Sequence, residues 1–570
     1  MNLFVQEMKS QKERRITGDE KNDIYKFKWG GNASIFFLKD QNRDENFHLY
    51  RVNINEGDPL DLTPFLKVRV DWWDDDRWNN GKFFFAMNKR SSELQDLYSY
   101  DIKLDKMEMV YQNPGQSQLM GIKRDNLGVL RILIVSNGLN QQFLYRESGE
   151  NNFRPIFETN FKDRIYPLNF DANNKGLYVS SNIGRDKFEI LKIDPTTGKE
   201  LETIYKNPDY DVNEFYYSFV RNKPVYVGFT DQKYRRVILD SSVVKSMNYT
   251  QELFPGLEIR LVDMDSSESH FILRIFNDRN LGYYYLYNKE ENSMKKLADI
   301  SPWILEDQMS SMKPIQIKSR DGLVLNGYVS IPVGSDGKNL PLIVQVHPGP
   351  FSRNVWTFDR ETQFFNSRGY AVLQINYRGS SGYGKKFFES GFREWGRKIQ
   401  DDITDASTWA IHSGLADSNR MAIYGYGFGG YCALMGAIRN PHLYSCVISY
   451  SGISNVFDFI KDVPPLYKVT ANRLYETIGN PEKDFNYIQE VSPIFHVKQF
   501  SVPVFIAQGG KDNRVSINET DNFVRELRKN GVSVTYFVRP NEGSLFTHEE
   551  DKLEYYSELE QFLEKNLKSN

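Results

Sequence analysis

The stretch from Arg420 to Asn440, RMAIYGYGFGGYCALMGAIRN, restricts the fold more than any other part of the chain. Met421 to Tyr424 is a short apolar run suited to a buried strand. Gly425, Gly427, Gly429 and Gly430 then free the backbone for a tight turn, and Tyr431 to Ile438 resumes with helix formers. The segment therefore reads as strand, sharp turn and helix. At the centre of Gly425-Tyr426-Gly427-Phe428-Gly429 stands a residue with no side chain.

The rest of the C-terminal half agrees with that reading. Ile315 to Lys318 and Leu323 to Val329 flank Ser319-Arg320-Asp321-Gly322, a hairpin with Asp-Gly turn chemistry. Leu342 to Val346, Ala371 to Ile375, Met421 to Tyr424, Cys446 to Tyr450 and Val504 to Ala507 are each short enough for a central strand. Helical stretches at Asp401 to Ser413, Asn518 to Asn530 and Lys552 to Leu567 alternate with them. Strands alternating with helices imply a doubly wound, mostly parallel sheet covered on both faces, with its chemistry at the carboxyl ends of the strands. In such sheets a G-x-S-x-G elbow holds a serine at its centre; here that place falls on Gly427.

The first half is different. From about Asp23 to Leu305 the chain is rich in Tyr, Phe, Val and Ile broken by polar clusters, which is an all-β pattern. A strand–turn–strand unit recurs about every 45 residues, within the spacing of propeller blades. Ser34 to Leu38 before Leu49 to Asn53 is one such unit, and Gly176 to Ser180 before Ile190 to Asp194 is another. About six units are visible, with a seventh left open and a β-sandwich array as the alternative. The expected division is an arm over 1–23, a β-propeller domain over 24–308 and an α/β-hydrolase domain over 309–570.

Composition narrows the function classes. In 570 residues, 72 basic against 75 acidic side chains give a formal charge of −3, no electrostatic reason to expect nucleic acid or an anionic membrane as partner. Cys432 and Cys446 are the only cysteines, which suits a reducing compartment, and the N-terminus has no apolar leader core; a cytoplasmic location is expected. No metal-ligand spacing, phosphate loop or dinucleotide fingerprint is present, so neither a metal nor a cofactor is expected.

His347-Pro348-Gly349-Pro350, Ser367 to Val372, Asn376 to Gly384, the Gly425 to Gly430 turn and Gly509 to Val515 resemble, in order and spacing, the prolyl oligopeptidase family of serine peptidases, above all its acylaminoacyl-peptidase branch. The resemblance implies a propeller that filters access to a hydrolase site, and oligopeptides as ligands. It puts the acid of a catalytic triad on Asp512, the nucleophile on Gly427 and the base on Ser544. Two of the three positions thus lack the required group, which removes acyl-enzyme chemistry. The same resemblance puts oxyanion-type N–H donors on Gly349 and Phe428 and an arginine steadying the acid loop at Arg514. His548 is a possible auxiliary group, a displaced base, although the sequence shows no orienting partner for it, and His347 reads as a loop-shaping residue. Three functions follow: a pseudopeptidase that binds a peptide or partner protein, a peptidase inactivated or using a non-standard base, or a peptide-tailoring or hydrolytic enzyme working through an activated water. A peptide or protein ligand is the expected partner, with a homo-oligomer left open.

Overall fold

The computed structural model describes residues 2–8, 10, 12–19, 22–41, 44–55, 57–72 and 81–567. Six antiparallel sheets follow one another along the first half, beginning at Ile24, Val70, Gln118, Ile165, Val212 and Glu258, close to the period read from the sequence. Five have four strands and the fifth has three, Val212–Ser218, Lys223–Thr230 and Tyr234–Ile238, followed by a helix at Val244–Leu253. This is a six-bladed β-propeller. Each blade is built from consecutive strands, and its inner strands are buried on both faces, as in Ser34–Lys39 and Leu130–Ser136.

Blades are joined by the apolar seams between them. Phe36 of the first stacks on Phe83 of the second at 5.0 Å, and Tyr178 of the fourth lies 5.2 Å from Phe215 of the fifth. Radial packing of this kind covers sheet faces that a lone blade would expose. The arm pairs Phe4–Gln6 with Glu13–Arg15, and Leu3 packs onto the first blade beside Ile24, Ile35 and Phe37.

The second half forms one eight-stranded sheet. Its spatial order is Met312–Lys318, Val324–Ser330, Ala371–Asn376, Leu340–Val346, Ala416–Tyr426, Cys446–Tyr450, Val504–Gly509 and Val534–Arg539. The first two junctions are antiparallel and the rest parallel. Helices Lys398–His412, Phe428–Arg439 and Ile517–Lys529 pack one face, while Arg360–Ser367 and Glu549–Leu567 pack the other. Both faces are therefore dry, as the uninterrupted apolar strands require. This is an α/β-hydrolase sheet. Among the described residues, no helix is long and apolar enough to cross a membrane.

The propeller and the sheet domain meet through polar contacts around a central space. The Lys385 ammonium lies 2.6 Å from Asp163, and Lys385 and Lys386 donate backbone N–H groups to Asp186. Arg353 donates to the carbonyls of Thr230 and Asp231, and Tyr328 to that of Gln232.

Candidate functional site

The turn expected at residues 425–430 has the geometry its glycines suggest. The strand ends at Tyr426, Gly427 sits at φ 57° and ψ −116°, and the helix starts at Phe428, three residues earlier than the helix-forming run suggested. The glycines have different reasons. A Cβ on Gly425 would lie 2.2 Å from the Gly429 carbonyl carbon, and one on Gly429 would lie 2.1 Å from the Val346 carbonyl oxygen. Those two positions have no room for a side chain. At Gly427 nothing lies within 4 Å of such an atom; only the left-handed backbone disfavours a side chain there.

The contact of Gly429 with Val346 brings the helix start against the loop His347-Pro348-Gly349. Phe428 opens a helix, where first-turn N–H groups have no intrahelical acceptor. Gly349 is also sterically fixed, since a Cβ there would meet the Phe351 nitrogen at 2.8 Å. His347 shapes this loop: it is buried, stacked on Tyr377 at 4.2 Å, with Nε2 3.0 Å from Ser380 Oγ and Nδ1 2.8 Å from the Pro348 carbonyl. Burial pulls it down to about 4, so it stays neutral and rigid.

Asp512 and Ser544 come from neighbouring loops whose backbones touch. A Cβ on Gly509 would fall 1.8 Å from the Gly543 carbonyl oxygen, and one on Gly510 2.5 Å from that of Pro540. Asp512 is buried and accepts the N–H groups of Arg514 at 2.8 Å and Val515 at 3.1 Å, with Gln508 Nε2 at 3.3 Å. Burial raises its carboxyl above the usual range while these donors pull the other way. The contact of Arg514 with the acid is made by its backbone N–H, which any residue there would supply. Ser544 is tied to the end of the neighbouring strand by Ser451, whose hydroxyl donates to the Ser544 carbonyl at 2.9 Å. Gly427 N–H bonds the Tyr450 carbonyl at 2.9 Å, one residue before Ser451. Positions 427, 512 and 544 are therefore brought together at the carboxyl edge of the sheet, with 349 and 428 beside the first of them.

His548 differs from expectation. It stands just before the helix Glu549–Leu567, and its Nδ1 is 3.3 Å from Asp551 and 3.5 Å from Glu542, so two carboxylates do orient it. Glu542 is fully buried and accepts from Thr547 N and Oγ1, both at 2.9 Å, and from His548 N at 2.8 Å. The ligand atoms of Glu542, His548 and Asp551 lie within 4.8 Å of one another, a proximity that sequence spacing did not reveal. Asp551 also holds Arg539 at 2.7 Å, and the Glu542 oxygens already have their donors, so these groups compensate one another. Phe546 does not fill the site. It packs into the core against Tyr450 and Phe537, while Leu545 is half exposed.

Two further groups border the site and were not foreseen. Ser451 holds φ 46°, a left-handed conformation uncommon for serine, at the end of its strand. Glu45, from a loop of the first propeller blade and also left-handed at φ 57°, accepts from Asn513 Nδ2 at 3.0 Å. Neither has a local sequence signal: one follows an ordinary apolar run, the other lies in a polar loop.

Residues 356–570 match the model of the prolyl oligopeptidase family. Dipeptidyl aminopeptidase BIII of Pseudoxanthomonas mexicana is 26% identical over 562 residues, covering 96% of this chain and 81% of that protein. The acylamino-acid-releasing enzyme of Arabidopsis thaliana is 28% identical over 251 residues, covering 43% of this chain and 31% of that protein. A puromycin-hydrolyzing peptidase of Mycobacterium tuberculosis superposes with a TM-score of 0.78 at 17% identity, over 98% of this chain and 90% of that one. That likeness is one of fold, and it spans both the propeller and the hydrolase sheet.

Proposed function

We propose that this chain binds an extended peptide, or an extended segment of a partner protein, between propeller and hydrolase sheet without forming an acyl-enzyme. One observation carries the reading: the centre of the elbow is Gly427, which brings main-chain donors but no attacking oxygen. In this reading Gly427 stands at a nucleophile position, Ser544 at a base position and Asp512 at the acid position. Acyl transfer needs a hydroxyl whose proton passes to an oriented imidazole. Here the partner of the acid loop is a serine, whose carbonyl accepts from Ser451. The Phe428 and Gly349 N–H groups keep a use without chemistry, since donors that stabilise an oxyanion also hold a carbonyl. The names of the relatives, a dipeptidyl aminopeptidase and an acylamino-acid-releasing enzyme, support peptides as the ligand class.

The test is covalent labelling of the full chain with a fluorophosphonate, read by intact mass. The mass is expected to stay unchanged, and an adduct within the elbow would overturn the reading.

One observation favours a second reading, hydrolysis through an activated water. His548 is oriented by two carboxylates, and the Asp512 carboxyl is raised by burial. Turnover of acyl-peptide anilides that falls at least about 100-fold in both His548→Ala and Asp512→Asn would support it. No turnover by the unmodified chain removes it.

A further inference from the structure

Between the propeller and the sheet domain lies a cavity of about 780 Å³. Its propeller wall includes Gln118, Phe161, Arg164 and Tyr166, and its other wall includes Phe351 and the helical segment around Arg473. Phe351 is two residues beyond Gly349, so the cavity reaches the loop that carries one of the candidate carbonyl donors. The volume lies within the range of ordinary ligand pockets.

Arg473 lies over the rings of Phe161 at 5.4 Å and Phe351 at 5.2 Å; Arg164 lies over Phe188 at 5.4 Å and Phe388 at 4.9 Å. Among the described residues, neither guanidinium has a carboxylate within ion-pair distance, and Arg164 Nε is buried without a hydrogen-bond partner. The nearby acids have donors of their own: Asp211, whose carboxyl feels the charge of Arg164 without pairing to it, accepts the backbone N–H groups of Phe188 at 2.9 Å and Gly384 at 3.3 Å. Asp163, adjacent to Arg164, holds Lys385 at 2.6 Å, and Asp71 on the cavity wall accepts from Gln95 at 2.8 Å and pairs with Arg69 at 3.4 Å. Burial lowers the affinity of Arg473 for its proton, and the charge of Arg164 lowers it further. Two cations therefore share a poorly solvated space walled by phenyl rings, an arrangement that an incoming anion relieves.

We propose that Arg164 and Arg473 form a carboxylate-recognition subsite, through which the cavity selects peptides bearing an acidic side chain or a free C-terminus over neutral ones. Guanidinium groups suit this ligand because their planar fork donates parallel hydrogen bonds to a carboxylate, and the flanking rings fix the planes in advance. The proposal rests on the peptide-binding reading and adds the class of peptide.

The experiment measures binding of fluorescein-labelled pentapeptides to the full chain by anisotropy. One pair differs only by Glu against Gln at the centre, both amidated; a second pair has the neutral sequence with a free or amidated C-terminus. At least one acidic member is expected to bind about 30-fold tighter than its neutral partner, and which pair shows the difference identifies the source of the carboxylate. Arg164→Met and Arg473→Met are each expected to remove about 10-fold of that preference, with Arg473→Lys restoring part of it. Circular dichroism on the same samples checks that the variants are folded. If peptides bind with no preference, or if the preference survives both substitutions in folded protein, the subsite is wrong and peptide binding stands. If no peptide binds the unmodified chain, the peptide-binding reading falls and the subsite falls with it.

Discussion

Arg378 and the pair Arg164 and Arg473 are the same residue type in partly or fully buried surroundings, put to opposite uses. Arg378 sits in the loop after the strand Ala371–Asn376, is only 4% exposed, and has every partner it needs. Its Nε and terminal nitrogens meet the fully buried Asp402 at 2.8 and 2.6 Å and Asp321 at 2.8 and 3.0 Å. The cavity arginines have phenyl rings where Arg378 has carboxylates. A paired buried charge pins one loop to its scaffold, whereas an unpaired one keeps its hydrogen-bonding capacity for something that arrives later. The first serves the fold; the second has a rationale only if a ligand completes it.

The largest effect that tests this contrast comes from breaking the complete pair. Asp402→Ala leaves the Arg378 guanidinium buried and half-compensated, and about 3–5 kcal/mol of stability is expected to be lost in urea unfolding. A loss below about 1 kcal/mol would mean that water or Asp321 alone satisfies Arg378, and the distinction between the two regions would collapse.

The elbow provides the next test, because it contains its own contrast between occupied and open space. Gly429→Ala forces a methyl group to 2.1 Å from the Val346 carbonyl oxygen and is expected to destabilise by about 3 kcal/mol. The Cβ of Gly427→Ser meets no atom within 4 Å, and the expected cost is backbone strain of about 1–2 kcal/mol. The serine variant should therefore fold, which allows a direct trial of chemistry. Without an imidazole beside Ser544 it is expected to show no fluorophosphonate labelling above the unmodified chain. If it labels, another base serves the elbow.

These positions also show what a sequence can reveal. The turn at 425–430 was legible because steric need at Gly425 and Gly429 is local: close backbone approach leaves glycine as the only residue that fits. The blades were legible because Ser34–Lys39 and its counterparts repeat at a regular interval, although the three-stranded fifth blade had no signature of its missing strand. Asp512 and Ser544 could be placed by resemblance to a family pattern. Glu45, Ser451, Arg164 and Arg473 could not, since each acquires meaning only from residues tens or hundreds of positions away. An unpaired arginine in particular looks like any surface arginine until the fold shows what surrounds it. The two carboxylates orienting His548 were missed for a related reason: Asp551 lies one helical turn away, but Glu542 belongs to the preceding loop.

A third buried site shows how the sheet domain treats a carboxyl whose hydrogen-bond donors are uncharged. Glu361 receives hydrogen bonds from Tyr424, from Tyr556 at 3.3 Å and from Gln345 at 3.3 Å, and burial pushes its carboxyl up to about 7. The folded state then holds a proton that the unfolded chain releases near its ordinary value of 4.5. Between about pH 4.5 and 7 the unfolded state binds fewer protons than the folded one, so stability contributed by this group is complete at low pH and falls as pH rises. About 3 kcal/mol of pH-dependent stability is expected from it. Glu361→Gln should flatten that slope; a slope unchanged by the substitution would assign the titration to another group.

The smallest effect separates the cavity arginines from Arg378 most sharply. Removing either one surrenders cation–π contacts, each of about 0.5–1 kcal/mol, but also relieves repulsion from the other. Arg164→Met and Arg473→Met are therefore each expected to change stability by less than about 1 kcal/mol, in contrast to Asp402→Ala. Their combination carries the finer information. Repulsion between two cations is relieved once, by whichever is removed first, so the double variant should be less stable than the sum of the singles by about 0.5 kcal/mol. Salt screens exposed charges and hardly reaches buried ones, so that coupling should persist at 0.5 M NaCl. Strict additivity would mean that the two guanidiniums do not share a field, and a ligand carboxylate would then have no reason to bridge them.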